Sequence, residues 1–208
     1  MTVQVPILIA QNIYKSFGKN KVLRGIDLDL FRGNSYGIVG ENGSGKTTIL
    51  NILAGFRKPD KGTVKIHCRT GFCPQEPYLF TNLTVNENIN LFSVAYGLNG
   101  KGNRKDQDEY KESLKVIFNL SGYGKCLCSK LSEGTRQKLN LVISLLHDPD
   151  LILLDEPYSS LDWDTYLKFW DYSEKLIERG KTILIVSHLI YDKSKMDMIW
   201  ELKEGLLV

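Results

Sequence analysis

The stretch Gly40-Glu41-Asn42-Gly43-Ser44-Gly45-Lys46-Thr47 decides the fold. It fits G-x-x-x-x-G-K-[ST] at every fixed position. A short apolar run, Tyr36 to Val39, leads into it, and a stretch of helical character, Thr47 to Ala54, leads out. That strand–loop–helix context is what such a loop needs. Glycines let the backbone wrap a polyphosphate with its N–H groups turned inward. The helix that follows offers the positive end of its dipole. Lys46 supplies a compact positive charge for the β- and γ-phosphates, and Thr47 a hydroxyl for Mg²⁺. By itself the loop predicts nucleotide binding and an α/β core.

Downstream, Leu151-Ile152-Leu153-Leu154 reads as a fully buried strand and runs straight into Asp155-Glu156-Pro157. Ligands of open parallel sheets sit at the carboxyl ends of strands. Asp155 is thus placed to hold Mg²⁺ and Glu156 to orient and deprotonate a water. Ile183 to Val186 reads as a second buried strand, and Thr165 to Glu178 as an amphipathic helix. Buried strands alternating with helices imply a parallel sheet covered on both faces. Near the start, Ile26, Leu28 and Leu30 alternate with Asp27 and Asp29, the period of a half-buried strand. Between Leu83 and His147 the pattern turns helical, over Asn86 to Leu98, Asp108 to Leu120 and Thr135 to Leu146. A linker rich in Gly, Asn and Lys, Asn99 to Arg104, separates the first two.

Composition narrows the function classes. The 208 residues are 42% hydrophobic and 25% charged, which suits a folded globular chain. No apolar run approaches the 20 or so residues of a spanning helix, and no secretory signal is visible. Lys+Arg number 27 against 24 Asp+Glu, a net charge of +3 with no basic block, so no nucleic-acid partner is expected. Cys68, Cys73, Cys126 and Cys128 have poor spacing for zinc, even with His67 alongside, and read as reduced thiols.

A third motif, Leu131-Ser132-Glu133-Gly134-Thr135-Arg136-Gln137, opens a helix upstream of Asp155. Here the chain resembles the ATP-binding cassette (ABC) family, the ATP-binding subunits of ABC transporters, which carry an LSGGQ-like signature at this place. Other pieces fall in family order: Tyr14 as the adenine-stacking aromatic, Gln75 of the Q-loop, Ser159-Ser160-Leu161-Asp162 of the D-loop, and His188 as the switch histidine.

The resemblance covers essentially the whole chain. It implies a P-loop NTPase core with a mostly parallel sheet, an N-terminal antiparallel β part and an inserted α-helical subdomain. Residues 1–75 and 148–208 would form the core and 76–147 the helical signature subdomain. It implies ATP and Mg²⁺ as cofactors. Nucleotide binding would fall to Tyr14, Gly40, Asn42, Gly43, Ser44, Gly45, Lys46, Thr47, Thr48, Ser132 and Gly134. Metal binding would fall to Thr47, Gln75 and Asp155, and catalysis to Glu156, His188, Gln75 and Lys46.

The resemblance further implies a head-to-tail pair of subunits, the same or different, in which Ser132 and Gly134 meet a γ-phosphate held by the other. A transmembrane permease subunit would dock on the Q-loop region, with Phe72, Tyr78, Leu79 and Phe80 as candidate groove residues. The chain would then sit on the cytoplasmic face of the membrane. Export is favoured over import. The competing readings are a soluble ABC-type ATPase without transport and a nucleotide-gated interaction subunit. The signature departs from the family at Glu133, where glycine is usual, and at Thr135, where glutamine is usual. A carboxylate there repels a γ-phosphate unless Arg136 and Lys138 offset it or it turns to water.

Overall fold

The computed structural model describes residues 5–98, 104–188, 190 and 193–208. The linker expected at 99–104 lies, apart from Arg104, outside the described residues. Strands β1 (Pro6–Phe17) and β2 (Asn20–Phe31) form a long antiparallel hairpin. β3 (Ser35–Val39) leads through the glycine-rich loop into α1 (Lys46–Leu53). β4 (Lys61–Ile66) returns to pair with β1, and β5 (Thr70–Cys73) enters a second sheet. Three helices follow: α2 (Val85–Ala95), α3 (Arg104–Ile117) and α4 (Glu133–Leu145). β6 (Leu151–Asp155), α5 (Trp163–Glu178), β7 (Thr182–Ser187), β8 (Met198–Lys203) and β9 (Leu206–Leu207) complete the chain.

The first sheet has the order β2-β1-β4 and the second β5-β6-β7-β3-β8-β9. In the second, every pair from β5 to β8 is parallel, and β8–β9 is antiparallel. Period-two alternation splits the buried strands between two cores. Ile152, Leu154, Ile183 and Ile185 face a core shared with α2, α3, α4 and α5. Leu151, Leu153, Leu184 and Val186 face a core shared with α1 and the antiparallel sheet.

Helix ends follow local chemistry. Thr84 and Glu87 close a capping box that starts α2, and Gly97, at φ +70°, ends it earlier than the apolar spacing suggests. α3 starts and stops three to four residues before the expected span, and Asn119 at φ +55° turns the chain out of it. No helix among the described residues is long and apolar enough to cross a membrane.

Candidate nucleotide site

The strand order builds the site. β5, β6, β7 and β3 lie side by side and point the same way, so their carboxyl ends form one edge. Cys73 pairs with Leu154, Asp155 with Val186, and Ser187 with Val39. That register sets Gln75, Asp155–Glu156, Ser187–His188 and the Gly40 loop in a row.

The loop is closed on itself by Lys46, whose Nζ donates to the carbonyls of Gly40 (2.7 Å) and Glu41 (3.0 Å). A polyphosphate would compete for that ammonium. Gly45, the N-cap of α1, sits at φ +109°, and a Cβ there would come within 2.7 Å of Val22 Cγ1. Glycine is therefore required both by backbone conformation and by the approach of β2. Gly43 is also left-handed, at φ +81°, with open space around it. The Ser44 hydroxyl is buried without a hydrogen-bond partner. Asn51, one turn beyond Thr47, bonds the Thr47 carbonyl and steadies the start of α1.

Asp155 is 1% exposed, and its Oδ1 is buried without a partner. Burial raises its pKa to about 6; the Thr47 hydroxyl and Lys46 oppose the rise, and Glu156 adds to it. A buried carboxylate with an unused oxygen, hydrogen-bonded to a threonine hydroxyl, is a donor set that suits a hard divalent cation. Mg²⁺ fits these residues.

Glu156 follows at φ +46°, a left-handed conformation that costs a side-chain-bearing residue about 1–3 kcal/mol. Its own amide holds it there by donating to Val186 O at 2.9 Å. Its buried carboxylate accepts from the His188 amide (2.6 Å) and from Ser187 Oγ (2.7 Å), and lies 3.1–3.2 Å from His188 Nδ1. Glu156 and His188 thus form one hydrogen-bonded unit. Ser187 belongs to that unit and was not singled out from the sequence; its signal is its place between a buried strand and the histidine.

The signature tip opens α4. Ser132 is the N-cap of α4, its Oγ accepting from Thr135 N (3.2 Å) and sharing a bond with Thr135 Oγ1 (2.8 Å). Neither Ser132 nor Gly134 hydrogen-bonds the phosphate loop among the described residues. Glu133 is exposed, as expected for a carboxylate turned to water, and its Oε1 also accepts from Ser160 Oγ at 2.8 Å. Lys138 does not offset Glu133, because it is paired with Asp162 at 2.5 Å. That ammonium holds the Asp162 carboxyl well below the usual carboxylate range. Gln75 is exposed and, with Glu133, Arg136 and Ser159, lines a cleft of about 520 Å³.

Two aromatic expectations change in detail. The Tyr14 ring folds over Gly25, where a Cβ would meet its hydroxyl at 2.7 Å, and it remains 39% exposed. Phe17, at the hairpin tip, is 45% exposed with Arg57 5.0 Å from its ring centre. Of the proposed groove residues, Phe72 packs on Phe56 and Leu79 packs against the helical core. Tyr78 and Phe80 stand out from the surface, at 68% and 54% exposure.

Comparison with known proteins places the chain in a family. The ABC transporter family model matches residues 23–159. An uncharacterized ABC transporter ATP-binding protein of Methanocaldococcus jannaschii is 33% identical over 204 residues, covering 98% of this chain and 76% of that protein. The Nod factor export ATP-binding protein I of Burkholderia orbicola is 32% identical, covering 94% of this chain and 67% of its own. A probable multidrug ABC transporter ATP-binding protein of Escherichia coli is 29% identical, and the chain spans only 36% of its length. Among solved structures, a dimeric ATP-binding cassette in a post-hydrolysis state with ADP and Pi superposes at TM-score 0.86, with 26% identity and 96% of each chain covered. Loop, buried carboxylates, signature helix and overall superposition thus converge: the chain belongs to the ABC transporter family and carries its ATP-binding cassette.

Proposed function

We propose that the chain binds and hydrolyses ATP with Mg²⁺ as the paired motor subunit of a membrane exporter. One observation carries the chemistry. Asp155 is buried with an unused oxygen beside Thr47, and Glu156 stands next to it on the same sheet edge as the Gly40 loop. In this reading Lys46 and the loop amides, with Asn42, Ser44 and Thr48, hold the triphosphate. Thr47, Asp155 and Gln75 would hold Mg²⁺, which draws charge from the β- and γ-phosphates when bound. Glu156 accepts the proton of the attacking water, and His188 orients Glu156 and meets the γ-phosphate.

Among the described residues Ser132 bonds Thr135 and Gly134 lies against Ser160, neither bonding its own phosphate loop, so in this reading they serve the triphosphate of a second copy or a similar subunit. ATP then joins two chains, and hydrolysis releases them. Residues 76–147 act as the lobe that moves. The exposed Tyr78 and Phe80 are the contact for a transmembrane permease subunit, which would keep the chain on the cytoplasmic face of the membrane. The export relative supports the direction of transport. A paired active species predicts that phosphate release from MgATP, per chain, rises with chain concentration. A constant specific activity means that single chains do the work and rejects the pairing.

The adenine ring is assigned to Tyr14, with Phe17 as the second aromatic at the same hairpin. Stacking on one base contributes about 1–3 kcal/mol. Tyr14→Ala should therefore weaken binding of a fluorescent ATP analogue by about tenfold. A tenfold loss in Phe17→Ala, with Tyr14→Ala unchanged, moves the assignment to the hairpin tip.

A further inference from the structure

Helix α4 does more than present Ser132. Residues 133, 134, 137 and 138 fall on one face of it, since positions three and four apart are neighbours on a helix. All four touch the segment that follows Glu156. Gln137 Nε2 donates to Pro157 O at 3.3 Å. Glu133 Oε1 accepts from Ser160 Oγ at 2.8 Å. Gly134 lies so close to Ser160 O that a Cβ would come within 2.5 Å. Lys138 pairs with Asp162 at 2.5 Å. One helix face thus grips the loop at its start, middle and end. Gln137 is 3% exposed, so its bond is shielded from water. The outermost rung is Glu133, whose charge strengthens the bond from Ser160.

We infer that α4 splints residues 157–162 to the signature tip of the same subunit, which makes Glu133 and Ser160 positioning residues for Glu156. The inference rests on the proposed ATPase reaction for its consequence, though not for the splint itself. A γ-phosphate engaging Ser132 and Gly134 would move α4, and the splint would carry that movement to the loop whose first residue adjoins Glu156. A glutamate in the signature then has a task of its own: it anchors the D-loop through Ser160.

The test uses the full chain with Glu133→Ala, Ser160→Ala, both together, and Glu133→Gln, which keeps an acceptor for Ser160. Each alanine variant should lower kcat for MgATP by about three- to tenfold, the value of one hydrogen bond, with KM unmoved and the melting temperature lowered by no more than about 2–4 °C. The double variant should be no slower than either single, and Glu133→Gln should retain wild-type kcat. Unchanged kcat in both singles, losses that multiply in the double, or a glutamine variant as slow as alanine would each overturn the inference.

A second measurement needs no hydrolysis. The amides of Ser159 and Leu161 donate within the loop, to Glu156 O (3.3 Å) and Tyr158 O (3.2 Å), and report its order. Their hydrogen exchange in the nucleotide-free chain should quicken in both alanine variants and not in Glu133→Gln. Unchanged exchange overturns the splint. Absence of ATPase activity in the unaltered chain overturns the proposed function instead, and the exchange result alone then decides the splint.

Discussion

Glu156→Gln is expected to lower ATP hydrolysis by about a thousandfold while nucleotide still binds. A general base contributes about 10²–10⁴ in rate. The amide oxygen can still accept from the His188 amide, and the new NH2 can donate to the Ser187 hydroxyl, which then serves as acceptor, so the fold around it has little reason to change. The strained backbone at this residue is held by Val186 O, which a side-chain change does not touch. Phosphate release under saturating MgATP gives the rate, and titration with a fluorescent analogue gives the affinity. A fall of less than tenfold would assign the proton to another group. A loss of affinity equal to the loss of rate would make Glu156 a binding residue.

Asp155→Asn carries the second large effect, and its sign is opposite for stability and for metal. The folded chain raises this carboxyl to about 6, against an ordinary value of 3.8. Between pH 4 and 6 the folded chain therefore keeps a proton that the unfolded chain has lost. On this group's account stability falls as pH rises through that window and is level above it. By pH 7 the cost is at most about 3 kcal/mol. Asparagine does not pay it, so the nucleotide-free variant should melt about 5–10 °C above the parent at pH 7. At pH 4 the gap should close. A bound Mg²⁺ would favour the carboxylate, so the extra melting shift from adding Mg²⁺ to ATP should appear only in the parent and grow between pH 5 and 7. An Asp155→Asn chain that melts below the parent at pH 7, or that keeps the magnesium shift, would contradict this account of the buried carboxyl.

The legible and illegible parts of the molecule differ for physical reasons. β6 and β7 are buried on both faces, so unbroken apolar runs mark them, and the acids or polar residues at their ends mark the sheet edge. The glycine-rich loop is legible because its backbone permits few other residues. β1 is harder to read: bulges between Ala10 and Tyr14, with Asn12 at φ +52°, break the alternation that announces a strand. β8 is half-exposed, and its charged residues hide its place beside β3.

Side-chain destinations were the least legible. Glu133 and Ser160 are far apart in sequence, and nothing local says that the carboxylate of one meets the hydroxyl of the other. Lys138 was expected, with Arg136, to offset Glu133; the fold pairs it with Asp162. The membership of Phe72 in the sheet-side core was hidden because β5 has only four residues, too few to show an alternation.

The central claim is that a triphosphate is clasped between the loop at Lys46 of one chain and the α4 tip at Ser132 of another. Its most direct measurement is the mass in solution of the Glu156→Gln chain, by light scattering, with and without MgATP. The account predicts one chain without nucleotide and two with it, carrying two ATP molecules, and reversion to one chain when Ser132→Arg is added. Single chains saturated with ATP, or pairs that form equally well with Ser132→Arg, would contradict it.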